Sequence, residues 1–175
     1  QQLRSQPGIG AAALEFAILT AARSGEVRGT LWSEINILER LWLIPGDRMK
    51  AGREHRVPLS DAAIAALKRM QENHVTDYVF PGFKQDKPLS DMSLTAALKR
   101  MGRSDLTAHG FRSTFRDWAS ETTAYPQEVC EMALAHTIAN KVEAAYRRGD
   151  LFDKRIKLMD DWARYCGGLL ADTES

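Results

Sequence analysis

Apolar residues recur along the chain first with a helical period, then in short alternating runs, then with a helical period again. From Gly8 to about Ala22 nearly every residue is Ala, Leu, Ile or Phe, which predicts a helix buried on all sides, with a shorter helix expected from Gly25 to Trp32. Ile35 to Leu38, Leu41 to Ile44 and Arg56 to Leu59 are short β-prone runs parted by polar or Pro/Gly breaks, the pattern of a small antiparallel sheet. Ser60 is placed to cap a helix running from Asp61 to about Glu72, and Ser90 to cap another ending near Gly102.

Beyond Gly102 the pattern is helical throughout. Between His109 and Glu121, Phe111, Phe115 and Trp118 follow i, i+4, i+7 and predict a buried stripe, while His109, Arg112 and Arg116 follow i, i+3, i+7 on the opposite side. Further helices are expected from about Pro126 to Ala135, from a capping-box-like start at Asn140 and Glu143, and from Leu151 to Cys166. The last should bury Phe152, Ile156, Met159 and Ala163. The predicted fold class is α+β, mainly α-helical, with a small three-stranded antiparallel β-sheet.

Composition narrows the class without naming a function. A chain of 175 residues, 44% hydrophobic, can fill one core and is short for two domains, so a single domain over residues 1–175 is expected. No apolar run reaches the length of about 18 residues that a membrane helix needs, and Gln1 to Pro7 lack the layout of a signal peptide. A soluble, intracellular protein follows as the expectation. Cys130 and Cys166 show no CxxC spacing and lie in amphipathic patterns, so buried reduced thiols are expected rather than a metal site or disulfide. The chain opens without Met on a loop-like segment, which suggests a piece of a longer protein.

A formal net charge of +1 does not itself point to nucleic acid, but the basic residues are unevenly spread. Lys99, Arg100, Arg103, Arg112 and Arg116 share a stretch poor in carboxylates, and Arg48, Lys50, Arg53 and Arg56 crowd another. Several familiar chemistries have no support. Gly8 to Ala13 fits the dinucleotide pattern GxGxxA, yet a polar segment with Pro7 precedes it where that turn requires a strand. There is no Walker loop, HExxH or GxSxG, and the four histidines do not cluster at zinc-ligand spacing.

Breaking a DNA phosphodiester without a metal requires a nucleophile, cations for the non-bridging oxygens and an acid for the leaving 5′-oxygen. Residues of each type occur within ordered segments: Thr20-Ala-Ala-Arg-Ser-Gly-Glu26, Lys50 with His55-Arg-Val-Pro-Leu59, His109-Gly-Phe-Arg112, Leu134-Ala-His136 and Ala145-Tyr-Arg147. In this order and spacing they resemble the tyrosine recombinase (phage integrase) family over nearly the whole chain. The segments His109 to Glu121 and Val142 to Cys166 are most like the prophage and genomic-island integrases of the P4 type. A lone HxxR occurs in many helices by chance; five ordered segments together are a far more specific signal.

The resemblance implies roles residue by residue. Arg23 and Arg112 match the two arginines that clamp the scissile phosphate, a task suited to a guanidinium fork that stays charged. Glu26 matches an acidic position that supports the first arginine. Lys50 matches the lysine of the β2–β3 hairpin, implied as the acid that protonates the leaving oxygen and carried on a tip able to move in when DNA binds. His109 matches the histidine of HxxR, able to take a proton or bond the phosphate. His136 matches a position held by His or Trp, implying hydrogen bonding and packing at the phosphate. Tyr146 matches the nucleophile, which leaves a 3′-phosphotyrosine and a free 5′-hydroxyl. Tyr78, Tyr125, Tyr165, His55 and His74 match no catalytic position.

The implied function is site-specific DNA recombination that integrates or excises a prophage or genomic island, with no cofactor or metal. Topoisomerase IB-like relaxation and a non-cutting DNA-binding module of the same fold are the alternatives. The implied partners are double-stranded DNA attachment sites, three further copies in a synaptic homo-tetramer, and accessory DNA-bending or excisionase proteins, in the bacterial cytoplasm near the nucleoid. Core-binding and arm-binding domains would precede a catalytic domain of this kind.

Overall fold

The computed structural model describes residues 2–72, 76–84, 86–136 and 149–168. The helix expected to begin at Asn140 and the proposed nucleophile Tyr146 lie outside them, as does His74.

The first long helix, α1 (Ile9–Thr20), is apolar on every side and is accordingly central, with Ala13, Leu14 and Phe16 fully enclosed. Its one buried carboxylate, Glu15, is answered by Arg4 (3.0 Å) and Arg69. The helix ends at Ala21, whose left-handed φ of 50° turns the chain into the short α2 (Ser24–Arg28). Three strands follow, β1 (Ile35–Asn36), β2 (Leu41–Ile44) and β3 (His55–Pro58), in the antiparallel order β1-β2-β3. Ile35 pairs with Trp42, Leu41 with Pro58 and Ile44 with His55. Then come α3 (Asp61–Gln71), α4 (Ser93–Arg100), α5 (Gly110–Thr122), α6 (Gln127–Ala133) and α7 (Phe152–Gly167). The predicted α+β class, mainly helical with one small antiparallel sheet, is what forms.

Three local expectations are corrected. β1 stops at Asn36 because the Asn36 side chain accepts a hydrogen bond from the Glu39 backbone (3.0 Å), folding the chain into a turn that leaves Leu38 95% exposed. Ser60 does cap α3 by accepting from the Ala63 N–H, but Ser90 does not cap α4. Ser90 instead accepts from the Ser93 backbone (3.1 Å) in a turn that precedes the helix. In α7 the buried face is Arg155, Leu158, Met159, Trp162 and Ala163, while Ile156 is 38% exposed. Met159 and Ala163 are buried as expected; Arg155 joins them because Asp150 and two backbone carbonyls receive its guanidinium.

Two apolar clusters result. One gathers α1, the sheet, α3 and α4; the other gathers α5, α6 and α7 around Phe115, Trp118 and Trp162. Ile18 and Cys166 touch both, and Trp162 Nε1 donates to the Ile18 carbonyl across the seam (2.7 Å). Cys130 and Cys166 are free, and burial pushes both thiols up, Cys166 to about 12. No helix among the described residues is long and apolar enough to cross a membrane.

Candidate phosphate-binding cleft

Five of the residues singled out from sequence, Arg23, Glu26, Lys50, His109 and Arg112, meet at one cleft of about 590 Å³, lined also by Ser24, Gly25, Asp47, Arg48 and Met49. They arrive on three parts of the fold: the start of α2, the turn between β2 and β3, and the first turn of α5. Arg23 stands at the N-cap of α2, where its backbone N–H donates to Glu26 Oε2 and its Nη1 to Glu26 Oε1, both at 2.8 Å. Glu26 is 6% exposed, so this carboxylate both closes the helix start and fixes the guanidinium.

Arg112 enters from α5, and its position corrects the sequence reading. Although periodicity placed it opposite the apolar stripe, it is only 6% exposed. Its Nη1 donates to the Ala21 carbonyl and its Nη2 to the Leu134 carbonyl at 2.7 Å. These carbonyls lie at the C-terminal ends of α1 and α6, where the helix dipoles are negative and backbone oxygens lack helical partners. Burial, and then the neighbouring Arg23 charge, lower the Arg112 guanidinium to about 10, so it remains a cation at neutral pH.

His109 is exposed at the N-cap of α5, as its offset from the apolar stripe required. Lys50 is exposed on the turn between β2 and β3, whose base is more firmly held than a bare hairpin tip: Met49 is 7% exposed and part of the main core. His136 follows α6 and is not among the residues lining the cleft. Its Nδ1 lies 2.6 Å from Glu131 Oε2, and Glu131 also receives Arg116 at 3.0 Å. The link from His136 to the cleft is Leu134, whose carbonyl Arg112 holds.

Arg48, Glu34 and Glu131 were not legible in the sequence. Glu34 and Arg48 are brought together only by the hairpin register, fourteen positions apart, and Glu131 gives no signal distinguishing it from a solvated carboxylate. His55, which matched no role, packs beside the cleft's supports; burial first, and then the Arg155 charge, lower it to about 4, so it is neutral at physiological pH. Among the described residues no group of His, Cys, Asp or Glu is arranged to hold a metal ion. What the cleft offers is three arginines, a lysine and an imidazole around a space open to solvent, the requirements of an anionic phosphodiester.

Comparison with known proteins identifies the family and the fold. The Phage integrase family matches residues 4–151. Prophage integrase IntA of Escherichia coli K12 is 38% identical over 151 residues, covering 85% of this chain and 36% of the relative. The integrase of Enterobacteria phage P4 is 31% identical over 171 residues, covering 87% and 39%. The chain therefore spans less than half the length of these relatives. Among solved structures, the integrase from mycobacterium phage Brujita superposes with a TM-score of 0.69 at 18% identity, covering 91% of this chain and 54% of that one. A lambda integrase tetramer bound to a Holliday junction gives 0.58 at 19% identity, covering 81% and 44%. These structural likenesses establish the fold, while the profile match over most of the sequence and the 38% identity establish descent: the chain belongs to the phage integrase family.

Proposed function

We propose that this chain is the catalytic domain of a site-specific DNA recombinase that cuts and rejoins strands through a 3′-phosphotyrosine intermediate. The observation that carries the reading is the cleft itself, in which Arg23 from α2, Lys50 from the β2–β3 turn, and His109 and Arg112 from the start of α5 converge. In this reading Arg23 and Arg112 grip the non-bridging oxygens, His109 receives or shares the nucleophile's proton, and Tyr146 attacks phosphorus. The new O–P bond replaces the P–O5′ bond, and Lys50 gives the leaving 5′-oxygen its proton. One phosphodiester is exchanged for another, so a 5′-hydroxyl can reverse the step without ATP. For His136, held by Glu131 outside the cleft lining, hydrogen bonding and packing at the phosphate rest on the family resemblance alone.

DNA attachment sites as substrate, and a tetramer in the synaptic complex, belong to the same proposal. They are supported by the family and by the lambda integrase tetramer on a Holliday junction. Accessory DNA-bending or excisionase proteins, action alongside bacterial DNA in the cytoplasm, and a division of labour with further DNA-binding segments complete it. Both relatives named above are integrases, which favours recombination over simple relaxation.

The test is incubation with a nicked suicide recognition-site DNA in EDTA. A covalent protein–DNA adduct should form with the parent protein and be absent with Tyr146→Phe. An adduct with that variant, or a strict need for Mg²⁺, would overturn the mechanism.

A further inference from the structure

We propose that Arg48 is a positioning residue that locks the turn carrying Lys50 onto the helix start carrying Arg23, so that proton donor and phosphate clamp keep one spacing. The inference rests on the function proposed above, through the role of Lys50 as acid.

Arg48 is the last residue of a short 3-10 turn, Gly46–Arg48, and stands two residues before Lys50. Its Nη1 donates to both carboxylate oxygens of Glu34 and its Nη2 to the backbone carbonyl of Glu26. Neither acceptor is free to drift. Glu34 is 9% exposed and also receives Trp42 Nε1 at 3.0 Å, from a tryptophan fully buried on β2. Glu26 lies in α2 and holds Arg23 with its own carboxylate. One guanidinium thus closes a continuous path from the sheet core, through Trp42, Glu34, Arg48 and Glu26, to Arg23.

The rest of the turn is built to match. Gly52 N–H donates to the Met49 carbonyl at 2.9 Å, and a Cβ on Gly46 would fall 2.9 Å from the Gly52 carbonyl oxygen, so the two arms of the turn lie in contact. Lys50 is exposed on a fixed base, and only its side chain must reach for the leaving oxygen. Arg48 also neutralises the buried Glu34 carboxylate, whose other described partner, Trp42 Nε1, brings no charge, beside a site meant for an anion. Gly29 gives an independent handle, because a Cβ there would lie 3.0 Å from Arg48 Nη2 while the backbone φ of −91° suits alanine. Gly29→Ala should therefore shift the guanidinium by a few tenths of an ångström, loosening its bonds without removing its charge.

The experiment compares single-turnover cleavage of two suicide DNAs that differ in one atom: an ordinary scissile phosphodiester, and one whose 5′-bridging oxygen is replaced by sulfur. A thiolate leaves without being protonated, so a defect confined to the proton donor disappears on the second substrate. Arg48→Ala and Gly29→Ala should each cleave the ordinary DNA roughly 10–100-fold more slowly and regain parental rates on the sulfur substrate. Lys50→Ala should show the same rescue, and Arg112→Ala should be slow on both.

Equal loss on both substrates by the Arg48 and Gly29 variants, while Lys50→Ala is rescued, would overturn the positioning role, as would unchanged cleavage of ordinary DNA by both. A lack of rescue for Lys50→Ala would instead remove the proton-donor reading and this inference with it. Melting curves on each variant identify any that fail to fold, and Gly29→Ala, which deletes no contact, then carries the result.

Discussion

Arg112 is a buried cation whose fork is held by backbone carbonyls at two helix ends, so it ties α1 to α6 and faces the cleft at once. Lysine keeps the charge but cannot place two fixed donors on both carbonyls. Arg112→Lys should therefore lose on the order of 100-fold or more in cleavage rate and also lower stability, with single-turnover kinetics and chemical denaturation as the readouts. Wild-type rates in that variant would remove the fork from the mechanism. The HxxR spacing made Arg112 findable, yet its burial was not, because a periodicity argument assigns arginine to solvent.

His55 offers a second test at this scale. Its imidazole is lowered from 6.5 to about 4, burial being the leading cause, so the unfolded chain binds a proton between these values that the folded chain does not. Stability should rise with pH across that window and fall as pH drops from 6.5 toward 4, by up to about 3 kcal/mol from this group. Urea unfolding at pH 7 and pH 4.5 should show a smaller acid loss in His55→Gln than in the parent. An identical loss in both would assign the acid sensitivity elsewhere.

At the level of elements, the junction of β3 with α7 depends on charge in a place where pattern predicts oil. Arg155 is 1% exposed at the head of the α7 stripe and donates to the Asp150 side chain, the Asp150 carbonyl and the Arg56 carbonyl. Arg56 grips the same Asp150 carboxylate through two bonds of 2.7 and 2.8 Å and lies 4.3 Å over the Phe152 ring. Asp150→Ala would leave Arg155 buried without its counter-charge and should cost about 3–5 kcal/mol, measured by denaturant unfolding. A loss below about 1 kcal/mol, the scale of an exposed pair, would show that the cluster is solvated. The sequence predicted that α7 exists and roughly where, since its apolar period is strong. It placed Met159 and Ala163 correctly but put Ile156 on the buried face in place of Arg155, whose partner Asp150 lies before the helix starts.

Over the whole molecule the cleft sits on the seam between two apolar clusters. Arg23 and Lys50 stand beside the cluster built by α1 and the sheet, whereas Arg112 rides on α5, whose Phe115 and Trp118 belong to the other cluster while Ala108 and Phe111, around His109, pack against the first. Their spacing is therefore a property of how the clusters dock. Trp162, 2% exposed and bonded across the seam to Ile18, is the residue to remove. Trp162→Ala should cost about 3–5 kcal/mol and also slow cleavage, because the two halves of the cleft would lose their register. Destabilisation with fully retained cleavage in the folded fraction would show that the docking does not set the site.

The sequence by itself determined the helix and strand order, the α+β class, the family and the residues that could handle a phosphate, because apolar periodicity, turn residues and motif order are local and survive without coordinates. It could not determine that Arg112 and Arg155 lie inside, that Arg48 and Glu34 meet, or that His136 pairs with Glu131 and does not line the cleft. Those outcomes depend on which carbonyls and carboxylates long-range packing brings within hydrogen-bond reach, and that packing alone decides whether a charged side chain is a surface group or the tie that holds a site together.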